Sequence, residues 1–544
     1  MITRTSFSAR CMISNLHITR HALLSLLLRI PSSSTMSTLF VIIDVCAVIT
    51  ALMLIQRLSN GTKTRKALLP PGPKELPLIG NLLDMPTEKE WLTFAKWGER
   101  YGDIATVAFF GQRLIVLNSE KIAVDLLDKK SSIYSDRPTI QMGGELVGWK
   151  NTLVLVPYGK RFRNYRRLAH QLFGSQATMK QFLPVEERET HRFLKRILAH
   201  PENLSQHIRK TAGAIILHIS HGYDIEEEND PFVILADRAT DQFSVSTAPG
   251  GFLVNHIPAL RHVPAWFPGA GFQQKAKKWA ETLEDMVDRP YHFVKSQIAA
   301  GKAPLSLISS LLEGRQVSTE EEFDIKWLAA SLYSGGADTT VSSIHAFFKA
   351  MSLFPDVQAK AQAEIDAVVG NDRLPGFHDR EYLPYINALV LEVIRWHTVT
   401  PTAVPHRVIE DDIYEGYFIP SGSLIVANIW KMLHDPTIYN SPFEFKPERF
   451  LGRTPERDPR SIAFGFGRRI CPGRLLADAS IFISCAMSLA VYNISKYSSP
   501  EAFVSKPDVE QTTGTISHPT PFQCIIRPRS EKAVTLIAAD EQFL

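Results

Sequence analysis

Cysteine is scarce in this chain of 544 residues: five in all, at positions 11, 46, 471, 485 and 524. So few, so widely scattered, exclude a disulfide framework. Also missing are internal repeats, low-complexity runs and, after residue 80, any Ser/Gly-rich linker. Despite its length the chain therefore reads as one large domain, and its 45% apolar residues suffice for a sizeable core. No Gly-x-Gly-x-x-Gly fingerprint follows a strand, which argues against a dinucleotide site of its own. Acidic residues are absent from positions 1–35. Residues 1–66 carry eight Lys/Arg against Asp44 alone, while the whole chain nets only +4. The basic balance thus belongs to the N-terminal segment, and the remainder, slightly acidic, offers no case for nucleic-acid binding.

That N-terminal segment contains an apolar run, residues 39–55, interrupted by Asp44 near one end. It is about long enough to cross a bilayer. Arg57, Lys63, Arg65 and Lys66 follow it, which predicts a cytosolic location for everything downstream. Pro70-Pro-Gly-Pro73 then reads as a stiff spacer. Residues 1–35, rich in Arg, Ser and Thr, resemble a transit peptide; a start at Met36 is the reading we favour. The expected organisation is an uncertain extension at 1–35, a transmembrane anchor at 36–58, a basic and Pro-rich linker at 59–80, and a catalytic domain at 81–544.

The most informative stretch is Phe464-Gly-Phe-Gly467-Arg-Arg469-Ile-Cys471-Pro-Gly473-Arg. It holds one cysteine with no second cysteine or histidine nearby, so the short-spaced ligand sets of zinc or iron–sulfur sites are excluded. A lone thiolate in a Gly-rich, Arg-bearing loop suits one-sided ligation of haem iron. Glycines let the backbone approach a flat cofactor, N–H groups can stabilise the sulfur charge, and an arginine can pair with a propionate. Cys485, in an apolar helical run, and Cys524, in a strand-like ending, read as small buried side chains.

The segment resembles the haem-binding signature of the cytochrome P-450 superfamily at Phe464, Gly467, Arg469, Cys471, Gly473 and Ala477. The likeness extends over roughly residues 68–530. The run Ile257-Pro-Ala-Leu-Arg-His-Val-Pro-Ala-Trp-Phe-Pro-Gly-Ala-Gly271 and the ending Pro519-Thr-Pro-Phe-Gln-Cys524 are similar to its membrane-bound fungal class. The resemblance implies a mainly α fold with small β-sheets, heme b buried between a long distal helix and the cysteine loop, and Cys471 as axial iron ligand.

Ser318-Thr-Glu-Glu-Glu322 offers a helix start, Ser318 with Glu321 or Thr319 with Glu322, and Pro355 a stop. In the middle stands Ser334-Gly335-Gly336-Ala337-Asp338-Thr339-Thr340, where two glycines weaken the helix by about 1 kcal/mol each relative to alanine. Such a weakness points to function, although small residues also serve helix packing and a threonine can bond back to the preceding turn. Gly336, Asp338 and Thr339 match the family's proton-delivery motif. The resemblance implies Thr339 as hydrogen-bond partner of the oxygen being activated and Asp338 as link to a proton relay.

Pro384 to Trp396 reads as another helix, with Glu392 and Arg395 three apart on one apolar face. Both charges need partners there, and Pro447-Glu-Arg449-Phe450 supplies Arg449. The resemblance assigns Glu392, Arg395 and Arg449 to a structural cluster behind the haem. It also implies cofactor contacts from Arg469, His406 and Arg407, from Phe464, Gly467 and Gly473, and from Arg166, with Arg137 as a further candidate. At Phe162 the chain departs from the family, which carries a tryptophan there, so the indole N–H is absent.

Together these readings predict a monooxygenase of the endoplasmic reticulum membrane, single-pass and cytosol-facing. It would oxidise a hydrophobic small molecule with O₂ and electrons from an NADPH-cytochrome P-450 reductase, with cytochrome b5 as a possible second donor. Lys160, Arg161, Arg163, Arg166, Arg167, Arg468 and Arg474 form the expected docking face. Segments 139–156, 243–256, 328–340, 398–404 and 512–516, apolar and poor in charge, are the expected substrate walls. Terpenoid or polyketide scaffolds of fungal secondary metabolism fit them, as do aromatic or indole compounds and xenobiotics. The rivals are a haem-thiolate enzyme that rearranges peroxides, which Asp338-Thr339 argues against, and a membrane-tethered haem sensor.

Overall fold

The computed structural model describes residues 68–77, 79–109, 111–247, 251–497 and 510–539. Contacts divide the chain into residues 1–68 and a compact unit spanning 69–544. The expected anchor at 39–55, Met36, Cys11 and Cys46 lie outside the described residues. Part of the expected linker belongs to the compact unit. The Pro71 carbonyl accepts from the Thr106 amide (2.8 Å), and Asn81 Nδ2 donates to the Pro73 carbonyl (3.2 Å). A Cβ on Gly72 would lie 1.8 Å from the Thr106 carbonyl oxygen, so only glycine lets the Pro-rich run lie this close to the strand.

The helices of eight or more residues are α1 (Glu90–Tyr101), α2 (Lys160–Phe173), α3 (Leu183–Ala199), α4 (Leu204–His221), α5 (Pro231–Thr247), α6 (Gly271–Ala299), α7 (Thr319–Leu353), α8 (Pro355–Val368), α9 (Pro384–Trp396), α10 (Arg474–Val491) and α11 (Glu531–Ala538). Their ends follow local chemistry. Ser318 Oγ accepts the Glu321 amide at the start of α7, and Glu320, Glu321 and Glu322 sit favourably against the positive end of the helix dipole. Pro355, which cannot continue α7, opens α8, and Pro384 opens α9.

The sheets are small. One has the order β1 (Ile104–Phe109), β2 (Gln112–Leu117), β6 (Leu424–Ala427), β3 (His406–Arg407), with β2 and β6 parallel and the other pairs antiparallel. A hairpin pairs β4 (Asp412–Tyr414) with β5 (Tyr417–Ile419) through Glu415-Gly416, both at positive φ as a two-residue hairpin turn requires. β7 (Tyr492–Lys496) pairs antiparallel with β8 (Cys524–Pro528).

The core is built around α7, which packs against α4, α10 and α2. Leu328, Ala329, Phe347 and Phe348 on α7 are fully buried, each large side chain contributing ~1.5–3 kcal/mol. Among the described residues α10 is the one helix long and apolar enough to cross a membrane, but 78% of it is buried inside the protein. Cys485 lies in α10 and is buried; Cys524, at the start of β8, is only half-buried. The centre of α7 breaks the pattern. Gly335 is exposed and Ser334, Gly336, Asp338, Thr339 and Thr340 are half-buried, although both flanks of the helix are core. An uncovered stretch in the middle of the main core helix leaves its backbone open to a ligand.

Candidate active site

The cysteine loop is closed by the Cys471 amide donating to the Phe464 carbonyl (2.9 Å). Gly465 and Gly467 take positive φ (77° and 54°), and a Cβ on Gly467 would lie 2.1 Å from the Leu127 carbonyl oxygen. Glycine at 467 is therefore demanded twice, by conformation and by contact with the helical turn Val124–Lys129. Gly473 is at φ −87°, so its role is different: its amide hydrogen-bonds the Cys471 sulfur. Burial pushes the Cys471 thiol up, while the Gly473 N–H and the charges of Arg166 and Arg474 pull it down. Added Cβ atoms at Gly465 and Gly473 would meet nothing within 4 Å, so the loop borders open space. Among the described residues no three His, Cys, Asp or Glu converge as metal ligands. Cys471 can thus offer a metal one bond, which fits an iron whose other ligands come from a macrocycle, and such an ion would itself deprotonate the thiol.

On α7 the two glycines do different things. Gly335 faces open space, whereas a Cβ on Gly336 would lie 3.1 Å from Cγ1 of Ile216 on α4, so Gly336 permits close helix packing. Thr339 Oγ1 donates back to the Gly335 carbonyl (2.8 Å). Asp338 is held at both oxygens, by Arg209 Nη1 on Oδ1 (2.9 Å) and by His518 Nε2 on Oδ2 (3.2 Å). Burial works to raise this carboxyl, but His518 and Arg209 outweigh it and keep it below the usual range. The expectation named neither partner. They come from 129 and 180 residues away in sequence, and no local pattern around Arg209 or His518 signals the contact.

A basic cradle gathers near the cysteine loop. Arg469 donates to the carbonyls of Ser135, Leu153 and Val156 (2.8, 3.1 and 2.7 Å), and its guanidinium lies 3.8 Å from the centre of the Phe162 ring. Phe162, which lacks the indole donor, thus acts as a platform for Arg469. Arg137 donates to the carbonyls of Val154, Val404 and Pro405, and His406 Nδ1 donates to the Tyr134 carbonyl (2.7 Å). Burial, then the charge of Arg469, depresses Arg137; burial, then Arg137, depresses His406; burial brings Arg469 down to about 10. The nearby carboxylate, Asp136, is engaged by Arg407 Nε (2.8 Å) and Nη2 and by the Tyr158 amide (2.8 Å). A buried, self-repelling set of cations held by neutral carbonyls suits an anionic ligand, and haem propionates meet that requirement.

Arg407, expected at the cofactor, is paired with Asp136. One expectation needs correction here. Arg166 was expected both at the cofactor and on the exposed docking face, and the second placing does not hold. Instead its Nη1 donates to the Ile470 carbonyl (2.7 Å), beside the cysteine, because α2 packs that face of the helix inward against the loop. Lys160 and Arg161 are exposed but partnered by Glu320 and Asp324, leaving Arg163, Arg167, Arg468 and Arg474 as the exposed basic group.

Behind the loop, Glu392 is fully buried. Its carboxylate accepts from Arg395 Nε and Nη2 (both 2.8 Å), from Arg449 Nε (3.2 Å) and from the Lys446 amide (2.8 Å). The remaining arginine donors go to the carbonyls of Leu433, Asn440, Ser441, Pro442 and Glu444 and to Glu456. The cluster therefore ties α9 to the 433–456 segment that leads into the cysteine loop.

The sequence of residues 70–525 matches the family model described as cytochrome P-450. The chain belongs to the cytochrome P-450 family. It is 52% identical to cytochrome P-450 monooxygenase 208 of Postia placenta, over 93% of this chain and 99% of that one. It is 48% identical to the monooxygenase claR of Ampulloclitocybe clavipes, over 87% and 89%. It is 44% identical to the monooxygenase ppsD of Aspergillus oryzae, over 92% and 96%. This cytochrome P-450 is a haem-dependent monooxygenase with thiolate-ligated heme b, electrons from a partner reductase and a hydrophobic substrate. Fungal members of the family are typically membrane-associated.

The segments expected to line the substrate space adjoin in two groups. The Met142 amide donates to Asn255 Oδ1 (2.8 Å) and the Trp149 and Phe243 rings lie 4.7 Å apart, joining 139–156 to 243–256. The Leu153 amide donates to Ser331 Oγ on α7 (2.9 Å). Segments 398–404 and 512–516 are tied by Gln511 Nε2 to the Thr398 carbonyl and by the Ser517 amide to the Val399 carbonyl.

Proposed function

We propose that this cytochrome P-450 is a membrane-anchored monooxygenase of fungal secondary metabolism, with Cys471 as its axial thiolate and Asp338 and Thr339 as its proton path. The observation that carries the reading is the Cys471 thiol: a lone ligand, hydrogen-bonded by the Gly473 amide and bordering open space. When bound, heme b supplies the reductive activation of O₂ that puts one oxygen atom into the substrate, and thiolate ligation favours O–O cleavage. Arg137 and Arg469 hold the propionates with His406 beside them, Phe162 fixes the Arg469 plane, and the Glu392–Arg395–Arg449 cluster keeps the cysteine loop in place. Asp338, kept ionised by Arg209 and His518, accepts protons from the solvent side. Thr339 Oγ1 donates to the Gly335 carbonyl, and turning its hydroxyl away from that carbonyl frees its proton for the distal space.

Residues 36–58 anchor the chain as a single pass in the endoplasmic reticulum membrane, with the catalytic domain in the cytosol. Arg163, Arg167, Arg468 and Arg474 steer the acidic face of the reductase, and cytochrome b5 serves as a second donor. Apolar segments with few fixed polar groups support a terpenoid or polyketide substrate.

The test is expression in a fungal host with reductase, under isotope-labelled O₂, of the wild type and Thr339→Ala. The wild type should yield a new product carrying one labelled oxygen. Thr339→Ala should retain the thiolate spectrum but release more peroxide per NADPH. No labelled product, or isomerised products without labelled oxygen, would overturn the reading.

A further inference from the structure

The carboxylate of Asp338 can only accept, so the hydrogen bond at Oδ2 requires His518 to carry its proton on Nε2. His518 Nδ1 has no protein partner among the described residues, and the side chain is 21% exposed. The ring is therefore bonded to the buried acid at one nitrogen and open to water at the other. Its backbone is pinned. The His518 amide donates to Thr512 Oγ1 (2.9 Å) and its carbonyl accepts from the Thr512 amide (2.8 Å). The preceding Ser517 carbonyl accepts from Ser342 Oγ on α7 (2.5 Å) and from His397 Nε2 (3.2 Å). The imidazole is thus delivered to α7 by the segment leading into β8, on the side of Asp338.

We propose that His518 is the proton donor to Asp338, a shuttle between solvent and the distal acid; this rests on the reading of Asp338 as the relay carboxylate. Water protonates Nδ1 as the Nε2 proton passes to Asp338 Oδ2. The ring is left with its proton on Nδ1 and resets by exchange with water, and one solvent proton has moved to the acid. Arg209, the other clamp, cannot take this part because a guanidinium does not deprotonate. The charged and titratable groups around His518 are Asp338, His345 and Lys349 on α7, Arg209 on α4, Asp237 on α5, His397 after α9, and Glu510 on its own segment. Burial, with the charge of His518 contributing, lowers His345 to about 4 and His397 to about 3, so neither competes for the proton at neutral pH. Asp237 is exposed and feels the charge of Arg209. Lys349 Nζ is held by the Glu510 carbonyl and Thr520 Oγ1.

The test compares full-length holoprotein with His518→Gln, Arg209→Gln and Asp338→Asn. Glutamine at 518 keeps an N–H donor for Asp338 but cannot shuttle. Substrate-free NADPH oxidation with reductase should fall by about 100-fold in His518→Gln, the low end of general-acid contributions, with a larger solvent-deuterium effect. Infrared spectroscopy supplies a readout apart from turnover. The protonated-carboxyl band of Asp338, identified by its absence in Asp338→Asn, should appear at higher pH in His518→Gln than in the wild type. If His518→Gln matches the wild type while Asp338→Asn is impaired, the shuttle is refuted and the acid's role stands. If Arg209→Gln gives the same rate loss and isotope effect as His518→Gln, both residues merely hold Asp338 and the shuttle is again refuted. If Asp338→Asn is itself unimpaired, the relay reading fails and the shuttle with it. Should His518→Gln not bind haem, His518→Asn carries the same comparison.

Discussion

Glu186 gives the sharpest stability prediction. It sits on α3, fully buried, with Oε2 accepting from Ser480 Oγ on α10 (2.8 Å) and Oε1 without a hydrogen-bond partner. Burial pushes its carboxyl from 4.5 up to about 8, with the Ser480 hydrogen bond and the Arg380 charge pulling back only in part. At pH 7 the folded protein therefore keeps Glu186 protonated, whereas the unfolded chain ionises it. Because the folded value is raised, the stability is fully present below pH 4.5 and is lost as pH rises toward 8, at ~1.4 kcal/mol per pH unit and ~5 kcal/mol in all. Glutamine has nothing to ionise in either state, and its amide fills the same space. Its NH₂ lacks an acceptor just as the acid hydroxyl does, so the orphan costs nearly cancel. Glu186→Gln should accordingly match the wild type near pH 4.5 and exceed it by ~2–5 kcal/mol at pH 8. Urea unfolding midpoints at both pH values measure this. A variant no more stable than the wild type at pH 8, or a difference independent of pH, would refute the reasoning.

Glu392→Gln leaves two buried arginines facing an amide and should cost ~3–5 kcal/mol, read as a lower urea midpoint and reduced haem content; unchanged haem content would deny the cluster its role in holding the loop. Gly467→Ala forces a non-glycine residue into positive φ against the Leu127 carbonyl, a strain of ~1–3 kcal/mol or more, and should lose haem faster than wild type. Charge reversal at Arg163, Arg167 and Arg468 should slow reduction by the reductase and flatten its salt dependence, measured by stopped flow; unchanged kinetics would move the docking face elsewhere.

What the sequence conveyed depended on how local the cause was. The limits of α7 and α9 follow from a serine cap and from prolines, all local, and both helices have the expected bounds. The cysteine loop was legible because its glycines and Cys471 act within ten residues of one another. The small sheet was not, since β2 pairs in parallel with β6 some three hundred residues away. The partners of single charges were hidden for a related reason. Arg407 and Arg166 were read from their neighbours in sequence, but a guanidinium's role is decided by what packs beside it, Asp136 in one case and the Ile470 carbonyl in the other. Gly335 and Gly336 look alike in sequence, yet one faces open space and the other the side chain of Ile216.

The central claim is that Cys471 alone supplies the thiolate to the haem. The direct measurement is the reduced, CO-bound difference spectrum of the wild type beside Cys471→Ser, Cys485→Ser and Cys524→Ser. The account predicts that the thiolate-type band is lost in Cys471→Ser and kept in the other two. A thiolate-type band persisting in Cys471→Ser would contradict it.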